Sequence, residues 1–244
     1  YAWTNNTTNI DLASSGTGNI VTFNGANNGT APVTATITVT PTFTNGAVSC
    51  TGTSQTFTIT VNPTANINAL NDHVLCNGAS FAEVAPTTTA TGGTVTYAWT
   101  NNTTSIGLAA SGTGNIPAFT TVNNGTAPVT ATVIVTPTFD NGGVNCAGIA
   151  DTFYITVNPT ATVNAISNQA VCNGTAVSAI NFASSATGGT VSYAWTNNNT
   201  SIGLAASGTG NIASFTATNS SNAPITATIT VTATFTNAGV SCTG

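Results

Sequence analysis

Few residues in this chain could carry chemistry: five cysteines, one histidine and five carboxylates stand in 244 residues, with no lysine or arginine. A Ser/His/Asp hydrolase needs a base held by packing against a nucleophile. The only candidate base, His73, lies beside Asp72 in an expected inter-strand turn without neighbours of that kind, so it reads as a solvated turn residue. Structural zinc needs four nitrogen or sulfur ligands, and a calcium loop needs clustered oxygens. Scattered acids and distant cysteines offer neither. The SGTGNI segments at 15–20, 111–116 and 207–212 have the glycines of a phosphate cradle without the lysine of a P-loop, and they read as tight turns. No catalytic, cofactor-binding or metal-binding residue is expected, and the chain does not read as an enzyme. Cysteine pairing is the chemistry that remains.

The elements that must position those cysteines come in copies. The segment YAWTNNTT begins at Tyr1 and Tyr97 and returns as YAWTNNNT at Tyr193, a constant step of 96 residues. Cys50, Cys146 and Cys242 keep the same step, as do Cys76 and Cys172, so the period is one domain long. A residue doing chemistry in every copy should recur at that step. The ionisable ones do not: Asp11 gives way to Gly107 and Gly203, Asp72 to Asn168, His73 to Gln169, Glu83 to Ala179, Asp140 to Thr44 and Thr236, and Asp151 to Gln55.

Alternation of period two supplies the local structure. Val129, Ala131, Val133 and Val135 alternate with polar or outward residues, and Phe153, Ile155 and Val157 do so after them, so 128–139 and 150–158 are expected to pair as a hairpin. Asn141 and Gly142 lie in the connection, where a tight turn requires positive φ. In GTVTYAWT, Val95, Tyr97 and Trp99 share one face. Trp3, Trp99 and Trp195, with Tyr1, Tyr97 and Tyr193, are therefore expected as core anchors. Helical periodicity is absent, which predicts all-β sandwiches of about seven strands per domain.

VNPTA at 61–65 and 157–161 marks the end of each hairpin with a proline that cannot continue a central strand, and TATVNAI at 160–166 reads as the next strand. Residues 1–63 are then the later part of one domain, 64–159 a whole domain, and 160–244 a domain without its last strand. This phasing predicts disulfides Cys76–Cys146 and Cys172–Cys242, with Cys50 unpaired because an early partner would precede Tyr1. Cys50–Cys76, across a junction, is the alternative. Disulfides point to an oxidising, extracellular setting.

A formal charge of −5 with no basic residue leaves nothing to neutralise phosphates, which argues against nucleic acid and anionic membranes as partners. No apolar run approaches the ~20 residues of a membrane span. Without lysine there are no Lys–Asn isopeptide crosslinks and no trypsin sites. Sequons begin at Asn5, Asn6, Asn28, Asn101, Asn102, Asn124, Asn173, Asn198 and Asn199, so surface glycans are compatible partners. Thr34, Thr36, Thr38 and Thr40 could face Thr56, Thr58 and Thr60 in a hydroxyl grid of the kind ice-binding sheets use, although threonine also simply suits an exposed strand.

The order Cys-Asn-Gly, GTVTYAWT, SGTGNI, APVTATVIVTPTF, Cys and TFYITVNP resembles the PKD-like, immunoglobulin-like tandem repeats of very large Bacteroidota surface proteins, including gliding-motility adhesins exported by type IX secretion. The resemblance spans the chain, although the WDFGDG motif of ordinary PKD domains is missing. It implies β-sandwiches placed end to end as a stiff rod, secreted and attached to the cell surface, serving as the stalk of an adhesin or filament. Expected partners are neighbouring repeats and other copies in a fibre. The alternative is a carbohydrate-binding or spacer module of a secreted polysaccharide-degrading enzyme, which an exposed aromatic platform would favour.

Overall fold

The computed structural model describes residues 1–244 and is all-β, with twenty strands and two single-turn 3-10 helices. Its middle part shows why the alternating segments become strands. Strands Ser111–Thr113, Thr94–Asn101, Val129–Asn141, Asp151–Asn158 and His73–Cys76 lie side by side in that order, antiparallel except for the last, which runs parallel to Asp151–Asn158. A second layer joins Ser80–Phe81 to Phe119–Thr120 and continues through a Val84–Ile116 bridge and an Asn68 N–H bond to the Thr87 carbonyl. Between the layers, Phe81, Trp99, Ile116, Val133, Phe153 and Ile155 form one sandwich-like core. Val133, Phe153 and Ile155 are 0% exposed, and each such side chain contributes roughly 1.5–3 kcal/mol by burial.

The expected hairpin forms, with Val129 opposite Val157 and Val135 opposite Asp151. Its connection differs from expectation. The strand runs on to Asn141 and turns back as a short arm, Val144–Ala147, placing Cys146 opposite Phe139. Gly142 and Gly143, rather than Asn141, take the positive φ angles, 62° and 80°. In the third repeat the first of these positions is Ala238 at φ 48°, strained for a residue with a Cβ. Ala238→Gly is expected to stabilise that turn by about 0.5–1 kcal/mol in urea unfolding.

The first repeat builds its sheet from Ser15–Thr17, Ala2–Asn5, Val33–Thr40 and Gln55–Val61, with a separate arm Thr42–Asn45/Val48–Thr51. The third builds one from Ser207–Thr209, Thr190–Asn197, Ile229–Asn237 and Val240–Thr243. The positions that correspond to Asp151–Asn158 by the 96-residue step, 247–254, fall outside residues 1–244. TATVNAI is not a ladder strand, being held by one Asn164 N–H bond to the Ala183 carbonyl. Where Asp151–Asn158 packs in the middle repeat, the third has an apolar groove of about 720 Å³ lined by Val177, Phe182, Ile202, Leu204, Ile229 and Val231.

The tryptophans are core residues, 7%, 4% and 7% exposed at Trp3, Trp99 and Trp195. The tyrosines before them are not equivalent. Tyr97 and Tyr193 are half-buried, whereas Tyr1 is 74% exposed and does not act as a core anchor. Burial raises the Tyr97 phenol above its ordinary value of 10.0. Its contribution to stability is therefore complete below the unfolded pKa and is lost as pH rises through the folded one. In urea unfolding across alkaline pH, wild type should lose more stability above pH ~10 than Tyr97→Phe.

Candidate functional site

Register explains why the expected disulfides do not form. Cys76 lies opposite Asn158 at one end of the middle sheet, whereas Cys146 lies opposite Phe139 near the other. From Asn158 to Asp151, then from its partner Val135 to Phe139, the path is eleven residues, about 36 Å at ~3.3 Å per residue. A disulfide needs Cα atoms within about 7 Å. Cys76–Cys146 is thus excluded by the length of the sandwich, and Cys172–Cys242 does not form because Cys242 is bonded to Cys76 while Cys172 stays free. Cys76 bonds instead to Cys242, with Cα atoms 5.4 Å apart and 166 residues between them. Cys50, Cys146 and Cys172 are free. The bond crosses a junction as the alternative Cys50–Cys76 would have done, but towards the following repeat.

The turn arm brings Cys242 there. At its tip the Asn237 side-chain amide donates to the Asn158 side-chain oxygen at 2.9 Å, clasping the segment that links the second and third repeats. One period earlier Asn141 donates to Asn62 at 2.8 Å, and the Ile149 N–H reaches the Ala65 carbonyl at 3.1 Å. A second clasp recurs as well: Thr91 N–H to Thr30 carbonyl and Thr187 N–H to Thr126 carbonyl, both 2.7 Å. Linker residues Pro63, Ala65, Asn158, Pro159 and Ala161 are buried. Each junction is therefore a packed contact. Asn158→Ala should unpair the Asn237 amide, costing roughly 0.5–1.5 kcal/mol, and a double-mutant cycle with Asn237→Ala should recover a coupling of that sign.

Beside the second junction lies a hollow of about 300 Å³ lined mainly by Asn77, Asn123, Asn124, Thr126, Thr160 and Thr162. Much of that polarity is already engaged. Asn123 donates to the Val157 and Ala127 carbonyls and accepts from Gly125 N–H, while Asn77 accepts from Asn123 N–H and donates to the Thr160 hydroxyl.

Four of the five carboxylates accept hydrogen bonds within the fold. Asp72 accepts from Tyr154 N–H, Asp140 from Gly143 N–H, Asp151 from Leu70 N–H, and Glu83 from the Asn115 amide. His73 is not the expected solvated turn residue. It lies in a strand, half-buried, with its ring edge-on to Phe81 and Phe153 at centroid distances of 5.0 and 6.2 Å. No three His, Cys, Asp or Glu side chains converge as metal ligands, and no helix is long and apolar enough to cross a membrane.

The repeated polar motifs are mostly structural. Asn5, Asn101 and Asn197 are buried and donate to the carbonyls of Leu12, Leu108 and Leu204 at 3.0 Å, which removes the sequons at Asn5 and Asn101 from the accessible glycan sites. Asn102 instead accepts from Thr132 N–H, tying the strand end to its neighbour. SGTGNI is not simply a turn: Ser111–Thr113 is a strand, and only Gly114 beyond it turns, at φ 75°. Gly112 lies against the Trp99 ring, where an added Cβ would fall 2.3 Å from Cζ2, and Gly16 and Gly208 meet Trp3 and Trp195 in the same way. Gly112→Ala should cost roughly 1–3 kcal/mol through overpacking, measured by urea unfolding.

The hydroxyl grid is real but interrupted. Thr34, Thr36 and Thr38 face Thr60, Thr58 and Thr56, and Thr34 shares a 2.9 Å hydrogen bond with Thr60. In the middle repeat the places of Thr38 and Thr58 are taken by Ile134 and Tyr154, 41% and 46% exposed. No protein-family model matches the chain, and no curated protein matches it in sequence.

Proposed function

We propose that this chain is a structural segment of an extracellular stalk, in which immunoglobulin-like, PKD-like sandwiches stand end to end as a stiff, disulfide-stabilised rod of a cell-surface adhesin or filament. The observation that carries the reading is the junction. Two different clasps recur at both junctions, the linker is buried, and a disulfide crosses from the second repeat to the third. An enzyme or a ligand-binding module needs no such fixation between neighbours. A stalk does, because bending at each linker would shorten its reach.

The domain phasing of 1–63, 64–159 and 160–244 belongs to this proposal, as do secretion and cell-surface attachment. The disulfide supports a compartment that is not reducing, and the resemblance to Bacteroidota surface repeats points to type IX export. Uncharged Thr/Asn faces suit hydration, glycosylation or lateral contact between copies. The carbohydrate-module reading loses its best platform, since all three tryptophans are buried. Immunogold labelling of intact producing cells, with an antibody raised against residues 64–159, tests the proposal. Gold along projecting filaments is expected, whereas label confined to the medium would move the secreted-enzyme spacer to first place.

A further inference from the structure

The fold treats the sequons unequally. Asn5 and Asn101 are buried, with their amides given to the Leu12 and Leu108 carbonyls. Asn6, Asn102 and Asn198 each accept from a strand N–H at 2.8 Å, those of Thr36, Thr132 and Thr228. Asn199 accepts from Ser201 N–H and donates to the Thr226 carbonyl, and Asn173 accepts from Asn219 N–H. Asn219, which opens a further N-x-S at Asn-Ser-Ser, accepts from Ser221 N–H and donates to the Ala223 carbonyl. The two that remain, Asn28 and Asn124, are exposed, and their amides take no part in the hydrogen bonds of the fold.

These two are equivalent by the 96-residue step, and each opens Asn-Gly-Thr. The residue before each bolts the loop down. Asn27 and Asn123 accept from Gly29 and Gly125 N–H at 2.9 Å and donate to the Val61 and Val157 carbonyls, which turns the next amide outward. Thr30 and Thr126, the third sequon residues, are exposed, and their carbonyls are the acceptors of the Thr91 and Thr187 clasps. The free amides therefore stand at the two junctions between repeats. Asn124 also lines the 300 Å³ hollow there, with Thr160, Thr162 and Ser185 across from it. Thr162 and Ser185 are exposed, and their hydroxyls make no hydrogen bond within the protein. That volume is at the small end of small-molecule sites, and its lining is uncharged.

We propose that Asn28 and Asn124 are asparagine-linked glycosylation sites, and that the sugar on Asn124 lies against the neutral hydroxyls of the junction hollow. The donor is a sugar esterified to a diphosphate at its anomeric carbon. Asn124 Nδ2 bonds to that carbon, the bond from the carbon to the phosphate oxygen breaks, the diphosphate leaves with the electron pair, and an Nδ2 proton passes to a base of the transferase. An amide nitrogen is a poor nucleophile because its lone pair is shared with the carbonyl, so a transferase must grip the whole carboxamide. A carboxamide already bonded to the fold resists that grip, which selects Asn28 and Asn124 in the folded chain. The inference does not rest on the stalk reading, since it needs only that the folded chain meets a glycosyltransferase.

The test is peptide mapping by mass spectrometry of the full chain isolated from producing cells. Chymotrypsin is used because the chain lacks Lys and Arg, and cleavage after Phe23, Phe43, Phe119 and Phe139 isolates peptides 24–43 and 120–139. Both should carry sugar, placed by fragmentation on Asn28 and Asn124, with the hydrogen-bonded sequons bare. A single sugar identifies a nucleoside diphosphate donor, and a preassembled oligosaccharide of one mass identifies a lipid diphosphate donor. Thr126→Ala should lose the sugar at Asn124 and keep it at Asn28, whereas Thr126→Ser, which retains the sequon, should keep both. Both variants leave the Thr126 carbonyl in its clasp, so a merely structural role of the threonine would not separate them. Bare Asn28 and Asn124, sugar on any of the hydrogen-bonded asparagines, or sugar at Asn124 persisting in Thr126→Ala would overturn the inference.

Discussion

Cys76→Ser should release the third repeat from the second and lower its stability by up to about 5 kcal/mol, the chain-entropy value for a closed loop of 166 residues. The third repeat is the part most dependent on that bond. It has an open apolar groove, and its largest cluster contains four buried residues against eleven in the middle repeat. In a Trp3→Phe/Trp99→Phe background, fluorescence of Trp195 reports the third repeat alone. Its urea midpoint should fall in Cys76→Ser, and reductant should lower the oxidised protein to the same value. An unchanged midpoint would mean that the Asn158–Asn237 and Thr126–Thr187 contacts already hold the junction without the disulfide.

The second large effect lies in the core. Trp99 is 4% exposed, stacks on Gly112 and packs with Val133, Val135 and Ile106 in the eleven-residue cluster. Trp99→Ala should cost the middle repeat roughly 3–5 kcal/mol, as large aromatic truncations do. Trp99→Phe should cost much less, because the indole N–H has no hydrogen-bond partner to lose. The Gly112→Ala penalty should largely disappear in the Trp99→Ala background, since the clash is with the ring itself. Equal penalties in both backgrounds would place the glycine's role in its backbone.

Sandwich strands were legible because period two survives in short segments: Val129 to Val135 and Phe153 to Val157 face inward as their spacing predicts. The tryptophans were equally legible as the largest apolar residues on an alternating face. Disulfide connectivity was not. Equal steps in Cys50, Cys146 and Cys242, and in Cys76 and Cys172, fit pairing within a repeat or between repeats alike. Only register decides, by placing Cys76 and Cys146 at opposite ends of one sheet. Reading 128–139 as one arm of a simple hairpin hid the extension to Asn141 that carries the cysteine arm across the junction. His73 misled for a related reason: beside Asp72 and Asn71 it reads as a turn, yet parallel pairing with Ile155 draws it into a strand edge against Phe81. Gly112 was hidden by its surroundings, since Ser-Gly-Thr-Gly has turn composition and the ring it accommodates lies thirteen residues away in sequence.

The central claim is that packed, disulfide-crossed junctions hold these repeats in line. Small-angle scattering of the oxidised chain tests it most directly. The thirteen-residue strand Val129–Asn141 spans about 43 Å at ~3.3 Å per residue, so nearly three repeats in line give a radius of gyration of about 30 Å. A compact chain of 244 residues would give about 18 Å. The account predicts the larger value, with a cross-section matching one sandwich. A value near 18 Å would contradict it, because the junctions would then be folding the repeats back on one another.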